Sequence, residues 1–231
     1  MLELSGVEAF YGHSRALQDI SLSVGRGELL SVLGRNGVGK TTLLRAIMGL
    51  MDRTTGSIRL DSAEIGAART DARARAGISV VPQGRGILPR FTVLENLRLG
   101  LFADARGTGV LDERVFETFP ALREHLGRMG GNLSGGQQQQ LALARVLLAN
   151  PKVILLDEPT EGIQPNLVEE IEEVVIRLNR ERGITIVLVE QNVAFARRAS
   201  QRFVIMEKGR IAAAGPIAEL TEGLVHRHMA V

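Results

Sequence analysis

Between residues 29 and 48 an apolar run, a glycine-rich turn and a helix with one apolar face follow one another, and this succession restricts the fold more than any other part of the chain. Leu29–Leu33 is interrupted only by Ser31. Residues 34–42 then read GRNGVGKTT, and Lys40–Gly49 turns Leu43, Leu44, Ile47 and Met48 to one side. The spacing Gly34-x4-Gly39-Lys40-Thr41 is that of a loop whose backbone N–H groups encircle phosphate oxygens. Glycines permit the turns, and the helix behind adds its positive N-terminal end. Lys40 is placed to reach the β- and γ-phosphates, and the Thr41 hydroxyl to ligate Mg²⁺. Such a loop works only between a buried strand and a helix, so the chain belongs to the α/β class.

The remainder fits that frame. Leu2–Ala9 and Leu17–Val24 alternate apolar and polar residues and predict antiparallel strands. Ile58–Leu60 and Ile78–Val81 are short strand candidates. From Phe91 to about Asn150 the pattern turns helical, over Val93–Leu101, Leu111–Phe119 and Gly135–Leu148. Strand and helix then alternate over Val153–Leu156, Val168–Arg180, Thr185–Val189, Val193–Ala199 and Phe203–Met206. Near-continuous apolar strands alternating with helices indicate a parallel sheet with crossover helices. The predicted organisation is one nucleotide-binding unit over residues 1–231. Its ATP-binding core comprises 1–83 and 151–231, with a helical subdomain inserted at about 84–150. Ala103–Val110, with glycines at 107 and 109, is the predicted mobile loop.

Composition narrows the function. With 23% charged and 45% apolar residues the chain has the profile of a soluble globular protein. No cysteine is present, which excludes disulfides and thiolate metal sites. No apolar run approaches the roughly 20 residues of a membrane span, and the N-terminus lacks the pattern of a signal peptide. Membrane association is therefore expected only through a partner. The net charge is +2, and aromatics are 3% with one tyrosine and no tryptophan. A single-strand nucleic-acid groove needs stacking rings on a basic track, so no nucleic-acid partner is expected.

Two further segments carry chemistry. VILLDEP, residues 153–159, is an apolar strand ending in the carboxylates Asp157 and Glu158, as befits a site for Mg²⁺ and a reacting water. LSGGQ, residues 133–137, sets a hydroxyl and open glycine backbone before a helix, about twenty residues ahead of those carboxylates. With the phosphate loop, in this order, the chain resembles the ATPase subunit of an ABC transporter over nearly its whole length. The resemblance implies ATP bound by Tyr11, stacked on adenine, and by Gly34, Arg35, Asn36, Gly37, Val38, Gly39, Lys40, Thr41 and Thr42. It implies Mg²⁺ held through Thr41, Asp157 and Gln83, the last in VPQGRG. Glu158 would be the base that deprotonates the attacking water. Leu133, Ser134, Gly135, Gly136 and Gln137 would contact the γ-phosphate bound to an opposite subunit, so ATP lies sandwiched in a dimer.

Two positions depart from the common family pattern. Gln191, in LVEQN, stands where most members carry a γ-phosphate-contacting histidine, and Glu161-Gly162-Ile163-Gln164 replaces SALD. Glutamine can hydrogen-bond phosphate but cannot become a cation. Both departures occur together in one branch, importers of branched-chain amino acids, other amides and urea. GGQQQQ and EGIQP look most like the urea-importer subunit, with the branched-chain amino-acid type as the alternative. The resemblance then implies a second, related ATPase subunit, two transmembrane permease subunits and, indirectly, an extracytoplasmic solute-binding protein. The chain would sit on the cytoplasmic face of the membrane. A soluble ABC ATPase acting on nucleic acid or ribosomes usually has two cassettes or a coiled-coil insertion, and neither is seen. A non-catalytic regulatory cassette has only Gln191 in its favour. A phosphate-loop kinase would leave LSGGQ without a role.

Overall fold

The central strands are apolar on both faces because both faces are covered. In the computed structural model, which describes every residue except Ala105, Arg106, Thr108, Ala230 and Val231, β1 (Leu2–Tyr11) and β2 (Ser14–Val24) form a hairpin. β3 (Leu29–Leu33) runs through the glycine loop into α1 (Lys40–Met48), followed by β4 (Arg53–Leu60), β5 (Ala63–Glu64), α2 (Thr70–Ala76) and β6 (Ile78–Val81). The middle of the chain carries α3 (Val93–Gly100), α4 (Arg114–Thr118), α5 (Pro120–Glu124) and α6 (Gly135–Leu148). Alternation then resumes with β7 (Val153–Asp157), α7 (Pro165–Arg180), β8 (Thr185–Glu190) and α8 (Val193–Ala199). β9 (Arg202–Glu207), β10 (Arg210–Pro216) and α9 (Glu222–Met229) complete the described chain.

Two sheets result. The antiparallel one has the order β2-β1-β4-β5, and the larger one β10-β9-β3-β8-β7-β6. All neighbours in the larger sheet are parallel except the edge pair β9–β10. Side chains of a strand alternate between faces, and β7 shows the consequence. Val153 and Leu155 pack with Leu43, Leu44 and Ile47 of α1 and with the inner face of the antiparallel sheet. Ile154 and Leu156 pack with Leu141, Val174 and Val175 from α6 and α7. The helices of the middle segment share this second core through Val93, Leu97 and Phe116. α3 lies tightly on α6: a Cβ on Gly100 would stand 2.1 Å from the Arg145 carbonyl, so only glycine fits there.

α2, sequence TDARARA, has no apolar stripe and is fastened by a cation instead. Arg73 is only 2% exposed. Its guanidinium donates to the carbonyls of Ala46 (2.9 Å) and Ile47 (2.8 Å) in the last turn of α1, and to Gly66 (2.6 Å) and Ala68 (2.9 Å). Those α1 carbonyls form the negative end of the helix, where a cation is favoured. Arg73 thus steadies, from behind, the helix that carries Lys40 and Thr41.

Sequence expectation and structure part at a few places. The helix expected over Leu111–Phe119 is shortened to α4, and its end is set by Phe119, which precedes Pro120 and leaves helical geometry at φ −130°, ψ 68°. α7 starts at Pro165 rather than Val168, with proline in the first turn where its missing N–H is harmless. α2, α5, β10 and α9 had not been anticipated. The predicted mobile loop falls partly on Ala105, Arg106 and Thr108, outside the described residues. Among the described residues no helix is long and apolar enough to cross a membrane.

Replacing Arg73 with methionine keeps much of the length but removes a donor from four buried or half-buried carbonyls, of which Ala46 keeps the Gly49 N–H. The expected loss is about 2–4 kcal/mol, seen as a lower urea midpoint with an unchanged slope. An unchanged midpoint would mean that the guanidinium contributes nothing net.

Candidate functional site

Strand order decides which loops can meet. β3, β8, β7 and β6 are consecutive and parallel, so their C-terminal ends line up along one edge, where open α/β sheets bind ligands. In that order they present the glycine loop, Gln191, the Asp157–Glu158 pair and Gln83. Gln191 therefore lies between the glycine loop and Glu158.

The loop closes on its own lysine. Lys40 is 5% exposed, and its ammonium donates to the carbonyls of Gly34 (2.8 Å) and Arg35 (3.0 Å). It also lies 3.2 Å from Glu158 Oε1. Gly34 has φ 148°, and a Cβ there would stand 2.6 Å from the Met206 carbonyl of β9. Residues 36–42 line a cleft of about 560 Å³ together with Tyr11, Gln83, Glu158 and the β9–β10 turn at Lys208 and Gly209. Tyr11 is 42% exposed at this cleft; its hydroxyl lies 3.4 Å from Thr42 Oγ1, and Arg45 stands over its ring. Gly34 and Arg35 do not line the cleft. They border a neighbouring hollow with Gln191 and α9. A larger hollow of about 730 Å³ lies at the opposite strand ends, by Lys152 and Thr185. Its cations are engaged, Arg26 and Lys152 with Asp61, Arg114 with Asp112, and Arg182 with Thr118.

The carboxylates face opposite partners. Asp157 is buried and accepts from the Thr41 hydroxyl at 3.1 Å. Burial pushes its pKa above the usual carboxylate value, against the opposing pull of that hydrogen bond. Glu158 has φ 46°, in the left-handed region that non-glycine residues rarely enter. Its N–H still reaches the Val189 carbonyl (2.9 Å), and its Oε1 accepts from Gln191 Nε2 at 3.0 Å. Such backbone strain persists where surroundings over-determine it and clusters at functional sites. The side-chain amide of Gln83 donates to Glu161 Oε2 at 2.7 Å, while its backbone N–H serves Asp157.

This donor set fits a Mg²⁺–triphosphate. The buried ammonium, the glycine backbone and the N-terminus of α1 suit phosphate oxygens. Among the described residues no group of three or more histidines and carboxylates is placed to hold a metal ion by itself. Mg²⁺ typically takes one or two protein oxygens and finds the rest on phosphate and water, which the Thr41–Asp157 pair supplies.

Residues 133–137 do not join the cleft. Leu133 is buried, and exposed Ser134 opens α6 with a capping box: its hydroxyl accepts from Gln137 N (3.3 Å), and Gln137 Oε1 accepts from Ser134 N (3.0 Å). Gly135 and Gly136 form the first turn behind it. The helix start thus contributes no residue to the cleft lined by residues 36–42.

Sequence reasoning missed three residues here. Arg85 donates to Gln138 Oε1 (2.8 Å) and to the Gly162 carbonyl (3.1 Å), joining the glutamine loop to α6 and to the turn after β7. Glu161 holds Gln83. Glu190, 4% exposed, accepts from the Thr160 hydroxyl. A charged residue closing an apolar strand, in LVE, was the available signal for Glu190; the other two show themselves only through long-range contacts.

Comparison with known proteins agrees with this geometry. Residues 17–161 match the family described as "ABC transporter". The chain is 41% identical over 212 residues to the high-affinity branched-chain amino acid transport ATP-binding protein BraG of Pseudomonas aeruginosa, covering 91% of each. It is 34% identical over 223 residues to the probable branched-chain amino acid transport ATP-binding protein LivF of Archaeoglobus fulgidus, covering 96% of this chain and 94% of the relative. Its fold is similar to that of the ATP-binding cassette MJ0796, solved as a dimer in a post-hydrolysis state with ADP and Pi. The TM-score is 0.81 at 28% identity, over 94% of this chain and 99% of that one. With the family match spanning most of the chain, and with a phosphate loop, a strand-end carboxylate pair and a glycine-led helix in one α/β cassette, the protein belongs to the ABC transporter family and is an ABC-type ATPase.

Proposed function

We propose that this cassette is the ATP-hydrolysing subunit of an importer. It works as one of two related cassettes on the cytoplasmic face of the membrane, beneath two permease subunits served by an extracytoplasmic binding protein. The observation that carries the catalytic reading is the contact set Lys40–Glu158–Gln191 at the ends of β3, β7 and β8. Residues 34–42 hold the phosphates, Tyr11 stacks on adenine, and Thr41, Asp157 and Gln83 hold Mg²⁺. Bound there, Mg²⁺ would offset the charge of the β- and γ-phosphates. Glu158 takes the proton of the attacking water. Lys40 and Gln191, its two present donors, are the donors a γ-phosphate needs. A seated phosphate draws both toward itself and leaves the Glu158 carboxylate to face water.

The exposed start of α6 supports a site completed in trans. Ser134 and the N–H groups of Gly135 and Gly136, with Leu133 and Gln137 shaping the turn, meet the γ-phosphate of the partner cassette. Leu88, Phe91 and Met129 are all exposed beside the glutamine loop, and this apolar patch supports docking of a permease there.

For the cargo, the similarity to BraG and LivF favours a branched-chain amino acid. The urea reading keeps the wording of GGQQQQ and EGIQP in its support. The deciding experiment reconstitutes the cassette with its permeases and compares ATPase stimulation by the binding protein loaded with leucine or with urea. Stimulation by urea alone would reverse the preference.

Glu158→Gln should keep ATP affinity while lowering hydrolysis by about 10²-fold or more, because shape survives and the base does not. Unchanged steady-state hydrolysis in the assembled complex would remove Glu158 from that role.

Ser134→Arg should leave ATP binding to the isolated subunit near normal and abolish ATP-driven dimerisation, since the bulk fills the place of the partner's γ-phosphate. Loss of ATP binding by the monomer would assign Ser134 to its own chain's site.

Asp157 yields a pH prediction. Burial raises its folded pKa, so the stability tied to its proton is present below the unfolded value of about 3.9 and is lost as pH rises through the folded value. In chelator and without nucleotide, Asp157→Asn should melt a few degrees above the parent at neutral pH, with the gap closing as pH falls into the carboxylate range. Its Mg²⁺-dependent hydrolysis should be lost. A variant that melts below the parent at neutral pH would contradict the burial penalty.

A further inference from the structure

β8 ends in a carboxylate that the reaction itself does not use. Glu190 is 4% exposed, and a buried carboxylate is costly unless donors surround it. Three do. Its Oε1 accepts from the Thr160 hydroxyl at 2.8 Å, and its Oε2 from the backbone N–H groups of Gln191 (3.1 Å) and Asn192 (3.3 Å). Those two N–H groups lie beyond the end of the ladder, since β8 pairs with β7 only as far as Val189 and with β3 as far as Glu190. Glu190 is the side chain that takes up both of them at this partly buried strand end.

The two carboxylate oxygens look in different directions along the chain. Thr160 follows Glu158 by two residues on the turn after β7, whereas Gln191 and Asn192 begin the turn after β8. Above this link, the Gln191 side chain donates to Glu158 Oε1 at 3.0 Å. The turn carrying Glu158 and the turn carrying Gln191 are therefore tied twice, by Gln191–Glu158 and by Glu190–Thr160. Asn192 extends the arrangement: its Oδ1 caps α8 by accepting from Phe195 N at 3.1 Å, and its Nδ2 donates to Glu172.

We propose that Glu190 is the positioning residue for Gln191, its buried carboxylate fixing the direction from which the Gln191 amide meets Glu158. This rests on the roles given above to Gln191 and Glu158. The two peptide N–H groups can only donate, so the position calls for an acceptor oxygen facing them, while the second carboxylate oxygen takes the Thr160 hydroxyl. Glutamine supplies one oxygen for the N–H pair and an amide to which the Thr160 hydroxyl can turn its lone pair. It should substitute well, and alanine should not.

The test uses Glu190→Ala, Glu190→Gln, Gln191→Ala and the double variant Glu190→Ala/Gln191→Ala. In the isolated subunit, exchange of the Gln191 and Asn192 backbone N–H should quicken by about tenfold or more in Glu190→Ala and stay near the parent rate in Glu190→Gln. In the assembled transporter, Glu190→Ala should lower single-turnover hydrolysis about tenfold with KM for ATP changed less than about twofold, and Glu190→Gln should recover most of it. The double variant should be no slower than Gln191→Ala, because a residue acting through another adds nothing once that other is gone. Thr160→Val, which removes the second anchor and keeps the shape, replaces Glu190→Ala in the same cycle if the latter fails to fold.

Slowing that multiplies in the double variant, or unchanged exchange in Glu190→Ala, overturns the positioning role while leaving Gln191 in its place. A Gln191→Ala variant indistinguishable from the parent removes Gln191 from the reaction, and slowing by Glu190→Ala on that background overturns the proposal as well.

Discussion

The ammonium of Lys40 sets the shape of everything around it. Removing a cation from water costs several kcal/mol unless its surroundings replace the lost hydration. Here the carbonyls of Gly34 and Arg35 and the Glu158 carboxylate replace it. Two carbonyls are thereby taken up by the lysine, and the rest of the loop, residues 36–42, lines the cleft. The same contact draws Glu158 across from β7, which helps explain why that residue tolerates a left-handed backbone.

A cage of this kind needs walls that do not drift. Parallel pairing holds the ends of β3, β8 and β7 in fixed register, down to Leu33 opposite Glu190 and Asp157 opposite Val189. Arg73 secures α1 from its far end through the carbonyls of Ala46 and Ile47. The groups assigned to chemistry therefore sit on or immediately after regular elements, a more precise support than long loops offer.

Much of this was legible in the chain because its signals are contiguous. GRNGVGKTT, VILLDEP and LSGGQ each hold a backbone conformation and its side chains within a few residues, and the strands flanking them are apolar on both faces. What stayed hidden depends on distant partners. TDARARA offers no apolar periodicity, since its hold is one arginine reaching residues up to 27 positions away. β10, RIAAAGP, is an exposed edge built largely of alanine, which has little strand preference. The helix expected over 111–119 is present but short, and its end follows a purely local rule, the effect of Pro120 on Phe119. Glu190 was readable as an acid closing an apolar strand, but Thr160, thirty residues away, gives that acid its meaning.

Arg85 has a consequence of a different kind. One guanidinium spans three pieces of chain, bonding the Gln138 amide oxygen on α6 and the Gly162 carbonyl after β7 from its own place in the glutamine loop. Both acceptors are neutral, so neither a change of pH in the physiological range nor moderate salt weakens this joint as it would an ion pair. What competes for it is a better acceptor. A Cβ on Gly135 would lie 3.2 Å from the same guanidinium, so an anionic oxygen brought to the start of α6 arrives within its reach. A carboxylate or phosphate oxygen adds ion-pair attraction, and often a second parallel hydrogen bond, to what a guanidinium makes with a neutral oxygen. The joint between the helical segment and the sheet is therefore made without a counter-charge, and its cation stands beside the start of α6.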